Sequence, residues 1–241
     1  MTGRSRARDR SRPSGGALAW NPLTYGPAAW FKASRGVTIV SEKVAAWADL
    51  SGNSNHLEQS NAALRPTVSA SVAARNNKPA INGAAGGVCL YSTNPVTLPR
   101  ESTWVIALGS LAASAYLLSH WSGSAEYAYV YGPGSAAFCL RSGVSQYYKS
   151  TAGFALANTS LVCAYDGATL TTLRNNASIS GTVVGSPLPA ADVTATLSVF
   201  SGQNGTATSA CEALEVIVYP RALSATELAQ INRYLVAEYG A

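Results

Sequence analysis

The chain has 241 residues, of which 47 % are apolar and only 12 % charged, with a formal net charge of +5. So low a charged fraction excludes a disordered chain, a coiled coil and a helical bundle, all of which need far more Lys and Glu. The length suits one β-rich domain, and no apolar run approaches the roughly 18 residues that a membrane-spanning helix requires.

The charge is concentrated at the start. Residues 1–16 carry Arg4, Arg6, Arg8, Arg10 and Arg12 against a single acid, Asp9, whereas residues 17–241 are nearly neutral. This arm has almost nothing apolar to bury, so on its own it is expected to be disordered. Alternating arginines suit charge-assisted hydrogen bonds to an acidic protein groove, and nucleic acid is disfavoured because no aromatic ring interleaves them for base stacking. The alternative is a solvated tail. No apolar segment follows the basic residues, so no secretory signal is expected, and the sites at Asn158, Asn176 and Asn204 are expected to stay unglycosylated.

Residues 17–27 read as a linker punctuated by Pro22 and Gly26-Pro27, and residues 28–241 as the folded domain. Ala28–Lys32 is a short strand, and Val37–Trp47 a hairpin turning at Ser41–Lys43. Asp49–Asn55 (DLSGNSN) is a loop rich in turn formers. It places oxygens at alternate positions, superficially like a calcium loop. The glycine and the closing acid are out of place, however, so the turn reading, with Asp and Asn bonding their own backbone, is preferred. A short strand follows at His56–Gln59, and another near Val88–Tyr91.

From Thr103 onward strands recur at β-sandwich spacing: Thr103–Leu108, Ala115–Trp121, Tyr127–Tyr131, Ala136–Arg141, Gln146–Tyr148, Ser160–Tyr165, Thr169–Arg174, Thr194–Ser201 and Glu212–Tyr219. One helix, 226–239, closes the chain. Ser224 and Glu227 form a capping box, and Leu228, Ile231, Tyr234 and Leu235 make one apolar stripe that must dock on the body. Cys89, Cys139, Cys163 and Cys211 each sit in an apolar strand without metal-ligand spacing, and read as buried reduced thiols.

Three segments carry a resemblance: AWADLSGNSNHLEQ, RPTV…NNKPAINGAAGGVCLY, and EALEVIVYPRALSATELAQINRYLVAEYG. Together they resemble the concanavalin A-like, laminin G-like jelly rolls found in phage virion proteins and bacterial lectin-like proteins. The resemblance covers roughly residues 28–240. It implies an all-β sandwich jelly roll with a C-terminal helix; function is left open, because this sandwich hosts many.

Catalytic constellations are sparse. Glycosidases need two carboxyl groups facing one cleft, and Glu212 and Glu215, three apart on an expected strand, should point to opposite faces. His56 and His120 lack a nucleophile elbow and read as structural. No metal, cofactor or catalytic residue is expected. Tyr127, Tyr129 and Tyr131 alternate along one strand and so share a face. With Tyr147 and Tyr148 they form a candidate glycan or interface surface, or else pack in the core. The favoured reading is a non-enzymatic virion protein: a phage capsid decoration protein, assembled in the host cytoplasm. Its arm would anchor to an acidic shell and homo-oligomerisation would add avidity. The alternative is a carbohydrate-binding receptor or adhesion module; a glycan hydrolase is the weakest reading.

Overall fold

The computed structural model describes residues 20–84, 87–111, 115–123, 126–132, 138–143, 145–150, 158–202 and 210–240. The arginine arm, with Arg4, Arg6, Arg8, Arg10 and Arg12, lies outside the described residues. Among those described, the chain is antiparallel β structure closed by one helix. In chain order the strands begin with β1 (Ala29–Lys32), β2 (Val37–Val40), β3 (Lys43–Trp47), β4 (Leu57–Glu58), β5 (Thr67–Val72) and β6 (Lys78–Gly83). Next come β7 (Leu90–Ser92), β8 (Val96–Pro99), β9 (Thr103–Leu111), β10 (Ala115–Trp121), β11 (Glu126–Gly132), β12 (Phe138–Ser142) and β13 (Ser145–Ser150). The last are β14 (Ser160–Tyr165), β15 (Leu170–Arg174), β16 (Ala177–Ser178), β17 (Thr182–Gly185), β18 (Asp192–Val199) and β19 (Cys211–Tyr219), before α1 (Ala225–Tyr239). No helix among them is long and apolar enough to cross a membrane.

The pairings resolve into two layers. In one, β19 lies between β9 on one flank and β1 and β6 on the other, and β9 continues to β14, β15 and β16. In the other, the order runs β2, β3, β4, β7, β18, β10, β11, β12, β13, β17, with β8 also on β18. The interior core draws on both. Trp104, Ile106 and Leu108 of β9 and Val216 and Val218 of β19 face Trp47, Leu90, Leu118, Phe138 and Leu197 of the opposing layer. This is a β-sandwich jelly roll. Because successive side chains alternate across a strand, Val105 and Ala107 of β9 and Ile217 and Tyr219 of β19 must face outward. They are buried all the same, because α1 covers that outer face with Leu228, Ile231, Leu235 and Tyr239. Each fully buried aliphatic side chain contributes roughly 1.5–3 kcal/mol, which is what holds a helix that would be marginal alone.

A polar cluster fixes the helix in position. Glu215, buried on β19, accepts hydrogen bonds from Trp30 Nε1 at 2.5 Å, Tyr234 OH at 2.8 Å and Tyr239 OH at 2.5 Å. Burial raises its pKa, while nearby Lys32 and the three donors oppose that rise. Lys32 and Lys78 both pair with Glu238, at 2.8 and 3.0 Å. At the far end Arg75, wholly buried, donates to the carbonyls of Asn158 and Gly240 and to Ser160 Oγ, so a guanidinium sits at the helix C-terminus, where the helix dipole favours positive charge.

The expected linker belongs in part to the body. From Trp20 onward the chain is docked: Trp20 packs edge-on against Tyr234 at 5.5 Å, Pro22 is buried, and Tyr219 OH donates to the Pro22 carbonyl. Asn21 caps a single 3₁₀ turn, Pro22–Tyr25, by accepting from Leu23 N. Its aromatic residues, rather than any hydrophobic periodicity, recruit it to the helix face.

The capping box gives a direct test. Glu227 receives Ser224 N at 2.8 Å and a two-pronged ion pair from Arg221, which hold its carboxyl down at about 2. A depressed folded-state pKa contributes stability that is complete above the ordinary carboxylate value of 4.5 and is lost as the pH falls toward 2. Glu227→Gln is expected to cost about 1 kcal/mol at neutral pH by thermal melting, discounted for exposure. That difference from the parent closes as the pH drops through this window.

Candidate ligand-binding cleft

The loop after β3 is organised by one carboxylate. Asp49, buried, accepts Trp30 N at 2.9 Å and Ser51 N at 2.8 Å through Oδ1, and Asn55 N at 3.0 Å and Ser51 Oγ at 2.7 Å through Oδ2. Its own N–H donates to His56 Nδ1 at 3.0 Å, which fixes His56 as a structural acceptor. Gly52 (φ 92°) and Ser54 (φ 61°) take the left-handed conformations that let the backbone wrap this carboxylate. The turn reading of DLSGNSN therefore has its geometry: the Asp49 carboxylate and the Ser51 hydroxyl accept backbone N–H groups of their own loop.

The tip of the loop then clasps the chain that leads into β1. Asn53 Nδ2 donates to the Pro27 and Ala28 carbonyls at 3.0 and 3.1 Å, and Asn55 Nδ2 to Ala28 at 2.8 Å. Among the described residues neither Oδ1 has a partner, so both amides keep an acceptor free. Beside them opens a cleft of about 500 Å³. It is walled by Gly26–Ala28, by Ser51, Asn53 and Asn55, by Pro95, Val96 and Thr97 at the start of β8, and by Pro220 after β19. Among the described residues no charged side chain lines it. Thr97 adds an exposed hydroxyl, 2.8 Å from that of Thr194. The arrangement offers amide and hydroxyl hydrogen bonding beside proline rings, which suits an uncharged, hydroxyl-rich ligand.

The residues singled out in the sequence fare differently. Tyr127, Tyr129 and Tyr131 lie on β11, in register with Trp121, Ser119 and Tyr116 of β10; their side chains lie outside the described ones. The alternate positions Ala128 and Val130 are in register with Leu140 and Phe138, which belong to the core. Tyr147 is not a surface residue. It is only 5 % exposed, packs edge-on against Tyr165 at 5.7 Å and donates to the Ala168 carbonyl at 2.8 Å. Its strand pairs along its outer edge with β17, and the ring belongs to the interior core. Its neighbour Tyr148 is half-buried.

Glu212 and Glu215 also depart from expectation. Two β-bulges between Cys211 and Glu215 shift the strand register. Ala213 packs in the interior, whereas Leu214 joins the helix-facing core and Glu215 bonds to the helix tyrosines. Glu212 shares that outer face: it bonds Ser69 Oγ and Ser110 N beside Gly109, where a Cβ would come within 2.6 Å of its Oε2. A bulge inserts one residue and so cancels the alternation on which the opposite-face reading rested. The two carboxyl groups still bond to different elements, and neither lines the cleft. His120 is buried, with Nε2 2.7 Å from the Val96 carbonyl, and desolvation lowers its pKa to about 4, so it is neutral at physiological pH. The four cysteines are buried free thiols.

The sequence held a signal for half of the cleft, the turn-rich 49–55 loop. Pro95, Thr97 and Pro220 carry none, because only the pairing of β8 with β18 and of β1 with β19 brings them to that end of the sandwich.

No known protein family's model matches the chain, and no curated protein matches it in sequence. Solved structures do. Domain 4 of an extracellular GH43 arabinanase from Geobacillus stearothermophilus, solved with arabinotriose, is 10 % identical with a TM-score of 0.56 over 86 % of this chain and 97 % of that domain. The binding domain of Paraclostridial mosquitocidal protein 1 is 11 % identical with a TM-score of 0.53, over 88 % of this chain and 53 % of that one. The botulinum neurotoxin type C structure, whose cell entry depends on two ganglioside molecules, is 8 % identical with a TM-score of 0.51, over 88 % and 52 %. These likenesses establish the fold. The chain spans about half the length of the two toxin chains and nearly all of the arabinanase domain.

Asp49 carries the local architecture of the cleft. Asp49→Ala is expected to lower stability by about 2–3 kcal/mol in urea unfolding, because four donors lose their acceptor, and Asp49→Asn by less. Added calcium should leave the parent's melting temperature unchanged.

Proposed function

We propose that this chain is a non-catalytic, lectin-like module that binds a neutral saccharide in the cleft between the 49–55 loop and the start of β8. The observation that carries this reading is the lining: Ser51, Asn53, Asn55 and Thr97 beside Pro27, Pro95 and Pro220, with no charged side chain among the described residues. Saccharides present many hydroxyl groups and small apolar C–H faces. Amide acceptors serve the first and proline rings the second, and a site without charge does not select an ionised ligand. Structural neighbours support saccharide binding in general, since entry of the type C toxin depends on gangliosides, and the arabinanase domain, solved with the neutral arabinotriose, supports the uncharged class.

The placement of the two carboxylates on β19 supports the non-catalytic part of this reading. Hydrolysis of a glycosidic bond needs two acids flanking it. Glu215 is spent on Trp30, Tyr234 and Tyr239 beneath the helix, and Glu212 on Ser69 and Ser110. The capsid-decoration reading rests on the arginine arm, which lies outside the described residues, and the fold neighbours favour the saccharide reading over it.

The test is a glycan array probed with the full chain and two variants. Thr97→Trp fills the cleft from an exposed strand position, and Asn53→Ala removes one acceptor. The parent should retain neutral oligosaccharides. Asn53→Ala should weaken them about tenfold, equivalent to about 1.4 kcal/mol, and Thr97→Trp should abolish retention with melting unchanged. Undiminished retention by Thr97→Trp, or binding confined to charged glycans, would overturn the assignment.

A further inference from the structure

The cleft reaches one sheet face through Thr97. This residue lines the cleft and is exposed, whereas Val96 and Leu98 beside it on β8 belong to the interior core, so the Thr97 side chain stands on the outer face of the second layer. The register carries that face across two more strands. Thr97 is opposite Thr194 of β18, Thr194 and Thr196 are two apart and share a face, and Thr196 is opposite Trp121 of β10. Leu197 and Val199 of β18 and Leu118 of β10 lie in the interior core, as this alternation requires. From the spacing of strands and the rise along them, Trp121 lies about 12 Å from Thr97, the span of roughly two to three linked sugar rings.

The surface along this line has the chemistry of the cleft. Thr97 and Thr194 are exposed, with their hydroxyls 2.8 Å apart, and Thr196 and Trp121 are half-buried. Nε1 of Trp121 is buried, so the part of the indole left open is apolar ring carbon. The line also has an end. One step past Thr196 and Trp121, Ser198 and Ser119 are buried and bond each other at 2.7 Å. The carbonyls of Ser201 and Gly202 fold back onto them at 3.4 Å, and a Cβ on Gly202 would come within 2.7 Å of the Tyr116 ring. Phe200, left-handed at φ 69° with its ring in the core, turns the chain back over this face. Asp192, exposed two residues before Thr194 and on the same face, would repel a carboxylated sugar.

We propose, resting on the reading of the cleft as a neutral-saccharide site, that this tray is its continuation and that the ligand is a linear, uncharged oligosaccharide. Its first units occupy the cleft, the hydroxyl groups of the next meet Thr97 and Thr194, and a further ring lies with its C–H face on the Trp121 indole. Trp121 then selects chains over single sugars, and the closure at Ser119 and Ser198 limits how many units are counted.

Calorimetric titration of the full chain with xylo-, manno- and cello-oligosaccharides of two to six units tests this. In the series that binds, affinity should rise about tenfold from the disaccharide to the tetrasaccharide and then level off. Trp121→Ala should leave the disaccharide constant unchanged and bring the tetrasaccharide down to it, whereas Trp121→Phe, which keeps an apolar ring, should retain most of the gain. Thr194→Arg lays a long side chain across the tray from an exposed position. It should abolish the gain with melting unchanged, so the test stands even where Trp121→Ala fails to fold. A disaccharide held as tightly as the longer chains, or a gain that survives both Trp121→Ala and Thr194→Arg, would overturn the continuation and leave the cleft assignment standing. Binding at no length would overturn both.

Discussion

The candidate site depends on the carboxylate of Asp49. A loop of seven residues containing glycine, serines and asparagines has, beyond Leu50, no apolar side chain with which to order itself. Four hydrogen bonds converging on one buried acid replace that missing surface, and one of them comes from Trp30 N within β1. The loop is thereby locked to the strand whose preceding residues form the opposite wall of the cleft. Asn53 and Asn55 complete the lock by spending their amide nitrogens on the Pro27 and Ala28 carbonyls. Rigidity here has a functional consequence. A pre-ordered wall does not lose conformational entropy again when a ligand arrives, which matters for the weak hydrogen bonds by which neutral hydroxyl groups are held.

The same logic operates on a larger scale beneath the helix. β9 and β19 are buried on both faces, inward against the second layer and outward against α1. Apolar contact alone specifies burial but not position. Glu215 supplies the position: it aligns Trp30 of β1 with Tyr234 and Tyr239 of α1, and a helix shifted by one turn would leave a buried acid without its donors. Strands β1 and β19 themselves carry Pro27 and Pro220 to the mouth of the cleft, so the packing that holds the helix also sets the cleft's geometry.

Much of this architecture was legible in the sequence. The strands at Ala115–Trp121 and Ser160–Tyr165 and the helix after Ser224 are found where alternation and the capping box place them, because β-branched and apolar runs there are continuous and the cap residues are specific. Strands β5 and β6 escaped notice. TVSASV has few large apolar side chains and KPAING contains Lys, Pro and Gly, so both are strands by virtue of pairing with each other and with β19 rather than by propensity. The bulges that bring Glu212 and Glu215 to one face are invisible to a two-residue period. Tyr147 could be read as a surface or as a core ring, because tyrosine suits both environments. Its ring is buried against Tyr165, with its hydroxyl on the Ala168 carbonyl, contacts between segments far apart in the chain that no local pattern announces. In the cleft, the loop could be read locally, whereas the walls from β8 and from the end of β19 are products of topology.

A neutral cleft ordered by a buried acid, on a sandwich whose fold neighbours include an arabinanase domain solved with a trisaccharide, is the core of the account. Its most direct test is a titration of the isotopically labelled full chain with neutral oligosaccharides, following the side-chain amide resonances of asparagine. Saturable shifts of the Asn53 and Asn55 signals, with those of Asn175 and Asn176 on the distant β15–β16 turn unmoved, are the predicted result. Shifts confined to the backbone of Tyr127–Tyr131, or no saturable shift at Asn53 and Asn55, would contradict it.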